Sequence, residues 1–284
     1  MNNIINISSD KIAGKCDNKC SYVYDYLNTN LVAKKDTNMI TIINDGIEPV
    51  VKYNNNNYMV SSTMLVSPSI HKFNNKKTDG EILIEHMPIQ GGKKMYVCIP
   101  IIESLNLSNA SVSIALIIES IKAKATAENE IIRIETDKFT LNTFIPQGKF
   151  YSYTGNDLNN SDADFIVFGK ENAIPMNQTT FNLLTELIKP IFTQMKGGKL
   201  FVNDKGTTTM KGTSTTTTTK DAGDKKSKLV DEKGINAFID DEIINIIIQI
   251  IMNCLFFFAV FYIINFTFNY LVSGVNNKLY LASG

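Results

Sequence analysis

The sequence predicts a mixed α+β fold that is rich in β-structure, with a C-terminal transmembrane helix. Three observations lead to this prediction. Runs of β-branched and apolar residues alternate with turn residues over most of the chain up to residue 200. A Thr- and Lys-rich stretch follows, in which apolar residues are scarce. The uncharged run 243–272 is then long enough to cross a bilayer.

Length and charge limit the class of partner. The 284 residues suffice for one large domain or two small ones. Lysine plus arginine and aspartate plus glutamate number 28 each, so the formal net charge is zero. A protein that binds nucleic acid needs a basic excess to neutralise phosphates, so the balance argues against a nucleic-acid partner. The N-terminus lacks the apolar core of a secretory signal.

Alternation and turn residues indicate the strands. Tyr22, Tyr24 and Tyr26 recur with the period of a strand. Asn74-Asn75 supplies a turn, and Gly91-Gly92 closes a hairpin. Further strands are predicted over residues 39–43, 50–53, 59–66, 81–87, 95–102, 130–135, 140–146, 151–153 and 165–168.

Two stretches have the spacing of helices. The apolar run 111–118 is compatible with a helix that gathers Ile114, Ile117 and Ile118 on one side, or with a buried strand. Residues 179–192 are predicted to form an amphipathic helix with Pro190 near its end. Its apolar face comprises Phe181, Leu184, Leu187, Ile188 and Ile191.

The cysteines give little indication of a metal site. Cys16 and Cys20 are compatible with a local disulfide or with half of a metal site. No second cysteine pair stands at zinc-site spacing, so we expect free or locally paired thiols. Cys254 lies in an apolar run and is predicted to serve packing.

The central block resembles a known family. The run Ser69-Ile70-His71 stands ten residues ahead of Glu81, which opens the segment Glu-Ile-Leu-Ile-Glu-His. This arrangement is similar to the α-type carbonic anhydrases, in which Ser-Glu-His precedes a Glu-Leu-His-Leu-Val-His strand by the same interval. Counting back without a gap, Tyr58 falls where that family begins its His-x-His pair.

The resemblance continues further along the chain. Residues 150–155, Phe-Tyr-Ser-Tyr-Thr-Gly, are similar to the family's Tyr-x-Tyr-Pro-Gly-Ser segment, and residues 165–168 are similar to its Trp-Ile-Val strand. Residues 38–192 are covered in all. The resemblance implies the α-carbonic anhydrase-like fold, in which a twisted central β-sheet is accompanied by few peripheral helices. It also favours a helix over the ambiguous run 111–118.

The zinc site of that family is where this sequence departs. The resemblance aligns its three zinc histidines with Tyr58, Val60 and Leu83, and the chain has only two histidines. Since valine and leucine offer no ligand atom, we expect no catalytic residue, metal or cofactor. The resemblance implies a retained structural hydrogen bond between His71 and Glu81. The Leu-Thr-Thr loop that orients the zinc-bound hydroxide is replaced by Asn-Asp-Leu-Asn-Asn after Gly155.

Domain boundaries follow from composition. Residues 1–12 are predicted to be a flexible arm, and residues 13–196 to form the carbonic anhydrase-like domain. Residues 197–242 are predicted to be a Thr/Lys-rich linker, because such a segment cannot bury enough apolar surface to fold. A glycosylated stalk is the alternative for this linker, and it would require a secretory route.

The anchor is predicted to run from Ile243 to Val272, followed by a short tail over residues 273–284. A buried core helix is the alternative, but no folded segment is predicted after it to cover it. Five lysines over residues 220–233 outnumber the single Lys278 beyond the anchor. Since lysine-rich flanks stay in the cytoplasm, we expect a tail-anchored protein whose large domain faces the cytosol.

This layout is similar to that of membrane-anchored structural proteins of large DNA viruses, among them the poxvirus cell-surface-binding type. The resemblance implies a non-catalytic virion membrane or minor capsid protein, whose domain is a docking surface between membrane and capsid. Its partners would be the lipid bilayer and capsid or other virion proteins. Its location would be a virion or internal viral membrane, reached through host cytoplasmic membranes during assembly.

Two other hypotheses remain. A cell-attachment protein would bind sulfated polysaccharide through convergent lysines. The candidate lysines, on the loops that flank the strand 81–87, are Lys72, Lys76, Lys77, Lys93 and Lys94. The third hypothesis is a hydratase that combines His71 and His86 with Cys98 or an acidic ligand.

Overall fold

The computed structural model describes residues 3–210 except 45–47, 49, 126 and 194. All described residues belong to one compact unit of the chain. Within the described part, eighteen β-strands accompany two α-helices and three short 3-10 helices. The β-rich class predicted from the sequence is confirmed.

The strands are short near the N-terminus and longest in the middle of the chain. In order they are β1 (Asn3–Ile4), β2 (Asn6–Ile7), β3 (Ile12–Lys15), β4 (Tyr22–Tyr24), β5 (Thr29–Lys35), β6 (Ile40–Ile43), β7 (Val51–Tyr53), β8 (Asn56–Val66), β9 (Lys72–Phe73), β10 (Gly80–Pro88), β11 (Lys94–Glu103), β12 (Ile131–Phe139), β13 (Phe150–Asn156), β14 (Asp162–Phe168), β15 (Ile174–Met176), β16 (Lys196–Gly197), β17 (Leu200–Asn203) and β18 (Thr208–Thr209). The α-helices are α1 (Asn109–Lys124) and α2 (Gln178–Leu187), and the 3-10 helices span Ser9–Lys11, Leu141–Phe144 and Lys170–Asn172.

Sixteen of these strands form one sheet, and β2 and β9 form a separate pair. The main order of the sheet is β1-β16-β13-β14-β11-β10-β8-β6-β5-β12. Strands β8, β10 and β11 are antiparallel neighbours, whereas β14 runs parallel to β11. The central strand β10 is buried along most of its length, as expected for a strand covered on both faces.

The two faces of the sheet support separate hydrophobic cores. We call one the helix-side core, because Ile82 and Ile84 of β10 belong to the same buried cluster as Ile114 and Ile118 of α1. We call the other the His71-side core, which contains Leu83 of β10. Its other fully or largely buried members include Ile70, Cys98, Tyr153, Phe165 and Val167. A residue's position along β10 therefore decides which core it enters.

Both helices begin at side-chain caps. Ser108 accepts a hydrogen bond from the Ser111 N–H and Ser111 returns one to the Ser108 N–H, so α1 starts with a capping box. The run 111–118 is thus a helix rather than a strand. Asn177 caps α2 by accepting from the Thr180 N–H, and the helix ends at Leu187, ahead of Pro190. The predicted helix over residues 179–192 was therefore too long at its C-terminal end.

The predicted arm and the predicted end of the domain are both corrected. Ile5 and Ile7 are buried, and the Ile5 N–H donates to the Met195 carbonyl at 2.9 Å. The alternating isoleucines therefore join the fold instead of a free arm. At the other end, β17 pairs with β13 in the main sheet, so the domain continues beyond residue 196.

The predicted strand over residues 140–146 is also corrected. Residues Leu141–Phe144 form a 3-10 helix whose Asn142 N–H donates to the Thr140 hydroxyl at 3.2 Å. Leu141 and Phe144 are both buried. Their spacing of three residues places them on one side of a 3-10 turn, which explains why this segment does not continue as a strand.

Candidate functional site

The most connected buried polar group is the triad of His71, Glu81 and Tyr153. His71 Nδ1 donates to Glu81 Oε1 at 2.6 Å, and His71 Nε2 lies 2.6 Å from the Tyr153 hydroxyl. The second carboxylate oxygen of Glu81 accepts from the N–H groups of Ile70 and His71, at 2.8 and 3.1 Å. The predicted hydrogen bond between His71 and Glu81 is therefore present. We call this group the buried triad.

The loop before β10 holds the buried triad in place. The Ser69 hydroxyl donates to the His71 carbonyl and accepts from the Thr78 N–H, both at 2.8 Å. On the far side, the Tyr153 ring stacks on Phe165 with 4.6 Å between ring centres. Since β13 and β14 position these rings, the triad joins a loop to two strands of the sheet.

Burial determines what the buried triad can do chemically. His71 and Glu81 have no exposed surface, and Tyr153 is almost completely buried. Loss of hydration, together with the nearby Cys98 and Glu81, raises the pKa of Tyr153 well above its usual value. Burial likewise raises the pKa of the Cys98 thiol. Neither group ionises near neutral pH, and neither meets solvent, so this arrangement fits a structural role.

A group with metal-ligating atoms does occur here. Ligand atoms of His71, Glu81 and Cys98 lie within 4.8 Å of one another. However, both ring nitrogens of His71 and both carboxylate oxygens of Glu81 already have protein partners. A metal ion would have to displace these hydrogen bonds in a place without solvent access, so the residues do not fit a catalytic zinc with an open water position.

The three positions aligned with zinc histidines do not meet. Leu83 is paired with Met64 on β8 and lies in the His71-side core. Tyr58 and Val60 belong to the helix-side core, on the opposite face of the sheet. The pairing of β10 with β8 is irregular between Glu85 and His86, where β8 has one extra residue. The residues of β8 that precede this point therefore turn their side chains to the opposite face of the sheet. The ungapped alignment of Tyr58 and Val60 is therefore corrected.

The residues around Leu83 do not form a metal site either. Its neighbours across the strands are Met64 on β8 and Cys98 on β11. Met64 and Leu158 pack against the same core. Carbonic anhydrase-type zinc would need three ligands converging on this face, and the described side chains here are mainly apolar.

A polar cluster lies at the end of this face, two residues beyond Leu83. Lys94 donates to Glu85 Oε1 at 2.6 Å, and Ser62 donates to Glu85 Oε2 at 3.1 Å. The Tyr96 hydroxyl lies 3.1 Å from Glu85 and 3.2 Å from Asp157. Asp157 also accepts from two N–H groups of its own turn, at Asn159 and Ser161. Asp157 therefore folds the turn after β13 back onto the sheet.

A second buried network involves the other histidine. His86 Nδ1 donates to the Met95 carbonyl at 3.3 Å, so in the neutral ring Nε2 accepts from Tyr26 at 2.8 Å. The Tyr22 and Tyr26 hydroxyls are also 2.8 Å apart. Burial lowers the pKa of His86 to about 4, so its ring is neutral at pH 7. Tyrosine alternation indicated the strand, but the partner of His86 had no local signal.

The five candidate lysines do not converge. Lys72, Lys76 and Lys77 precede β10, whereas Lys93 and Lys94 lie where β11 begins, next to the other end of β10. A strand of this length separates its ends by roughly 25 Å. Lys93 pairs with Asp162 at 3.2 Å, and Lys94 pairs with Glu85. The expectation of one convergent lysine site is therefore corrected.

Two further expectations concern the ends of the chain. Cys16 and Cys20 form a disulfide, which resolves their predicted alternatives in favour of a local bond. The anchor predicted from Ile243 to Val272 lies outside the described residues. Within residues 3–210, where the structure is described, neither α-helix is long and apolar enough to cross a membrane.

Solved structures share this fold. No protein-family model matches the chain, and no curated protein matches it either. Dioscorin complexed with ascorbate is similar at a TM-score of 0.58 and 13% identity, over 72% of this chain and 87% of dioscorin. Carbonic anhydrase Cah3 from Chlamydomonas reinhardtii gives 0.57 and 12%, over 71% and 90%. The α-carbonic anhydrase from Thermovibrio ammonificans gives 0.54 and 14%, over 70% and 85%. The described domain has an α-carbonic anhydrase-like fold, and identity this low supports the fold alone.

Proposed function

We propose that this chain is a non-catalytic, tail-anchored structural protein of a large DNA virus. Its carbonic anhydrase-like domain is a docking surface between the viral membrane and the capsid. The proposal that the chain is non-catalytic rests on the burial and the hydrogen bonds of its two histidines. Each is completely buried, and both nitrogens of each ring have protein partners. A catalytic zinc needs three protein ligands and one open position.

The fold is compatible with a domain whose function is to bind other proteins. Fold alone does not determine activity, so the similarity to carbonic anhydrases carries no enzyme assignment. Leu83 is buried in the His71-side core, and Met64 and Leu158 pack against the same core. Apolar packing at the position aligned with a zinc histidine favours binding to other proteins over catalysis as the function of the domain.

The uncharged run of residues 243–272 supports the membrane part of the proposal. It is tested by expressing the full chain and a variant that ends at residue 242, followed by alkaline carbonate extraction of membranes. We expect the full chain to stay in the pellet and the shortened chain to be released. Protease added to sealed membranes should digest the domain of the full chain, because the domain faces the cytosol. Protection from protease would contradict the proposed topology.

The docking part is tested in purified particles by chemical cross-linking and mass spectrometry. Exposed lysines of the domain, such as Lys52, are expected to form cross-links with capsid proteins. Cross-links confined to other copies of this chain would contradict a capsid partner. Polysaccharide binding is the alternative function, and the separation of the lysines into two groups does not support it.

A further inference from the structure

The last strand of the sheet, β12, has one edge without a partner. It pairs with β5 on one side, and no other described strand pairs with it. The outward N–H and C=O groups of such a strand can pair with a strand of another molecule. Natural sheets protect edges with prolines, bulges or charges. The residues Ile131–Ile134 pair regularly with β5 and contain no proline, and the pairing becomes irregular only between Ile134 and Phe139.

From Ile131 to Glu135, the side chains of β12 alternate between solvent and core. Ile132 and Ile134 are buried in the helix-side core. Arg133 and Glu135 are exposed on the opposite face. Among the described residues, neither of these two charged side chains has an ion-pair partner. The strand therefore presents one positive and one negative group, two residues apart on one face.

This spacing is self-complementary. When two copies of a strand pair antiparallel about a two-fold axis, residues on either side of the central residue face each other across the pair. With Ile134 opposite its own copy, Arg133 of one chain lies opposite Glu135 of the second copy, and the reverse pair forms as well. Paired residues share a face, so both ion pairs lie on the exposed face and the isoleucines stay in the two cores.

We propose that two copies of this chain dimerise through antiparallel pairing of β12, with Ile134 on the two-fold axis. The pairing joins the two sheets into one and gives hydrogen-bond partners to the outward N–H and C=O groups of β12. Two Arg133–Glu135 ion pairs fix its register. This inference does not depend on the absence of catalysis or on a capsid partner, because it rests only on the edge strand.

Charge reversal tests the register. The variant R133E makes both facing pairs acidic, and E135R makes both basic. The dimer of either single variant should therefore dissociate. We expect the dimer dissociation constant to rise on the order of tenfold to a hundredfold for each single variant. The double variant R133E/E135R restores opposite charges and should return to the wild-type value. An equimolar mixture of the two single variants should form heterodimers, since one chain is acidic and the other basic at both positions.

The measurement is sedimentation velocity of the full chain in detergent over a range of concentrations. K52E and E119R serve as controls, because both side chains are exposed and lie outside β12. They should associate like the wild type. Circular dichroism confirms that every variant is folded. Dimers that persist in both single variants, a double variant that stays dissociated, or a wild type that is monomeric throughout would each overturn the inference.

Discussion

His71 and Glu81 share a hydrogen bond of 2.6 Å between Nδ1 and Oε1 at a position where neither side chain has any exposed surface. The same carboxylate accepts two backbone N–H groups from the loop that carries His71. A single side chain therefore satisfies three donors. The pair connects the loop to the central strand.

Replacing Glu81 with alanine should strongly destabilise the domain. The change leaves His71 and two N–H groups without an acceptor, and breaking a buried pair in this way costs about 3–5 kcal/mol. We expect that loss in the free energy of unfolding, measured by denaturant titration. The control is Glu119→Ala on the exposed side of α1, where the change should stay within about 0.5 kcal/mol. Equal stability of the two variants would contradict the role given to Glu81.

Tyr153→Phe is a milder test of the same triad. It removes one hydroxyl and leaves His71 Nε2 without its partner, while the ring stacking on Phe165 is kept. An unsatisfied buried polar atom costs about 1–3 kcal/mol, so the loss should be smaller than for Glu81→Ala. A Tyr153→Phe variant as stable as the wild type would show that this hydrogen bond contributes nothing.

His86 should make stability depend on pH. Its pKa is about 4 in the folded chain, below the usual 6.5, so the unfolded chain binds the proton more readily. The resulting stability is complete above pH 6.5 and is lost as the pH falls to about 4. Its size is about 3 kcal/mol. His86→Gln cannot titrate, so its free energy of unfolding should fall less over this pH range. Parallel curves for the variant and the wild type would contradict the assignment.

The Cys16–Cys20 disulfide should stabilise the end of the domain. The Cys16 N–H donates to Val202, and the Cys20 carbonyl accepts from Asn203, both at 2.8 Å. Closing so short a loop contributes roughly 2 kcal/mol. Cys16→Ser with Cys20→Ser should lower the free energy of unfolding by about that amount.

Reduction provides the matched control for this prediction. A reductant should destabilise the wild type as much as the double substitution does, and should leave the double variant unchanged. The bond also bears on location, because disulfides are uncommon in the cytosol. Trapping thiols in intact cells should find the pair reduced if the domain faces the cytosol during assembly. An oxidised pair at that stage would contradict the proposed placement.

Weak binding to heparin follows from the positions of the lysines. The two groups lie at opposite ends of β10, farther apart than the roughly 8 Å over which exposed charges interact in physiological salt. We expect the full chain to leave a heparin column below physiological salt. Neither K72Q/K76Q/K77Q nor K93Q/K94Q should change the elution. Strong retention that both sets of substitutions abolish would favour the polysaccharide-binding alternative.

The sequence predicted the central strands because their turns have local signals. Asn74 and Asn75 adopt positive φ angles of 49° and 65°, and Gly91 and Gly92 adopt 81° and 120°. These residue types tolerate that conformation, so the turns could be identified from the residues alone. The sequence left helix α1 ambiguous, since its isoleucines suit either element and the N-cap residue Ser108 lies outside the apolar run 111–118.

The sequence did not allow us to predict which face of the sheet the side chains of β8 occupy. Tyr58 and Val60 are buried in the same core as Leu65, although an odd number of positions separates them from Leu65. The change of phase occurs at Ser61 and Ser62, which have no apolar side chain to reveal it. Contacts between distant residues, such as that between His86 and Tyr26, also depend on the folded arrangement. They give no signal in a single sequence.

The most direct test of the account is to measure bound zinc and carbon dioxide hydration in one preparation of the purified full chain. Zinc is added during purification, and an active α-carbonic anhydrase is treated in parallel as the positive control. We expect that this chain retains no stoichiometric zinc and that hydration stays at the uncatalysed rate. One zinc per chain together with catalysed hydration would contradict it, and would mean that ligands other than the two buried histidines form an active site.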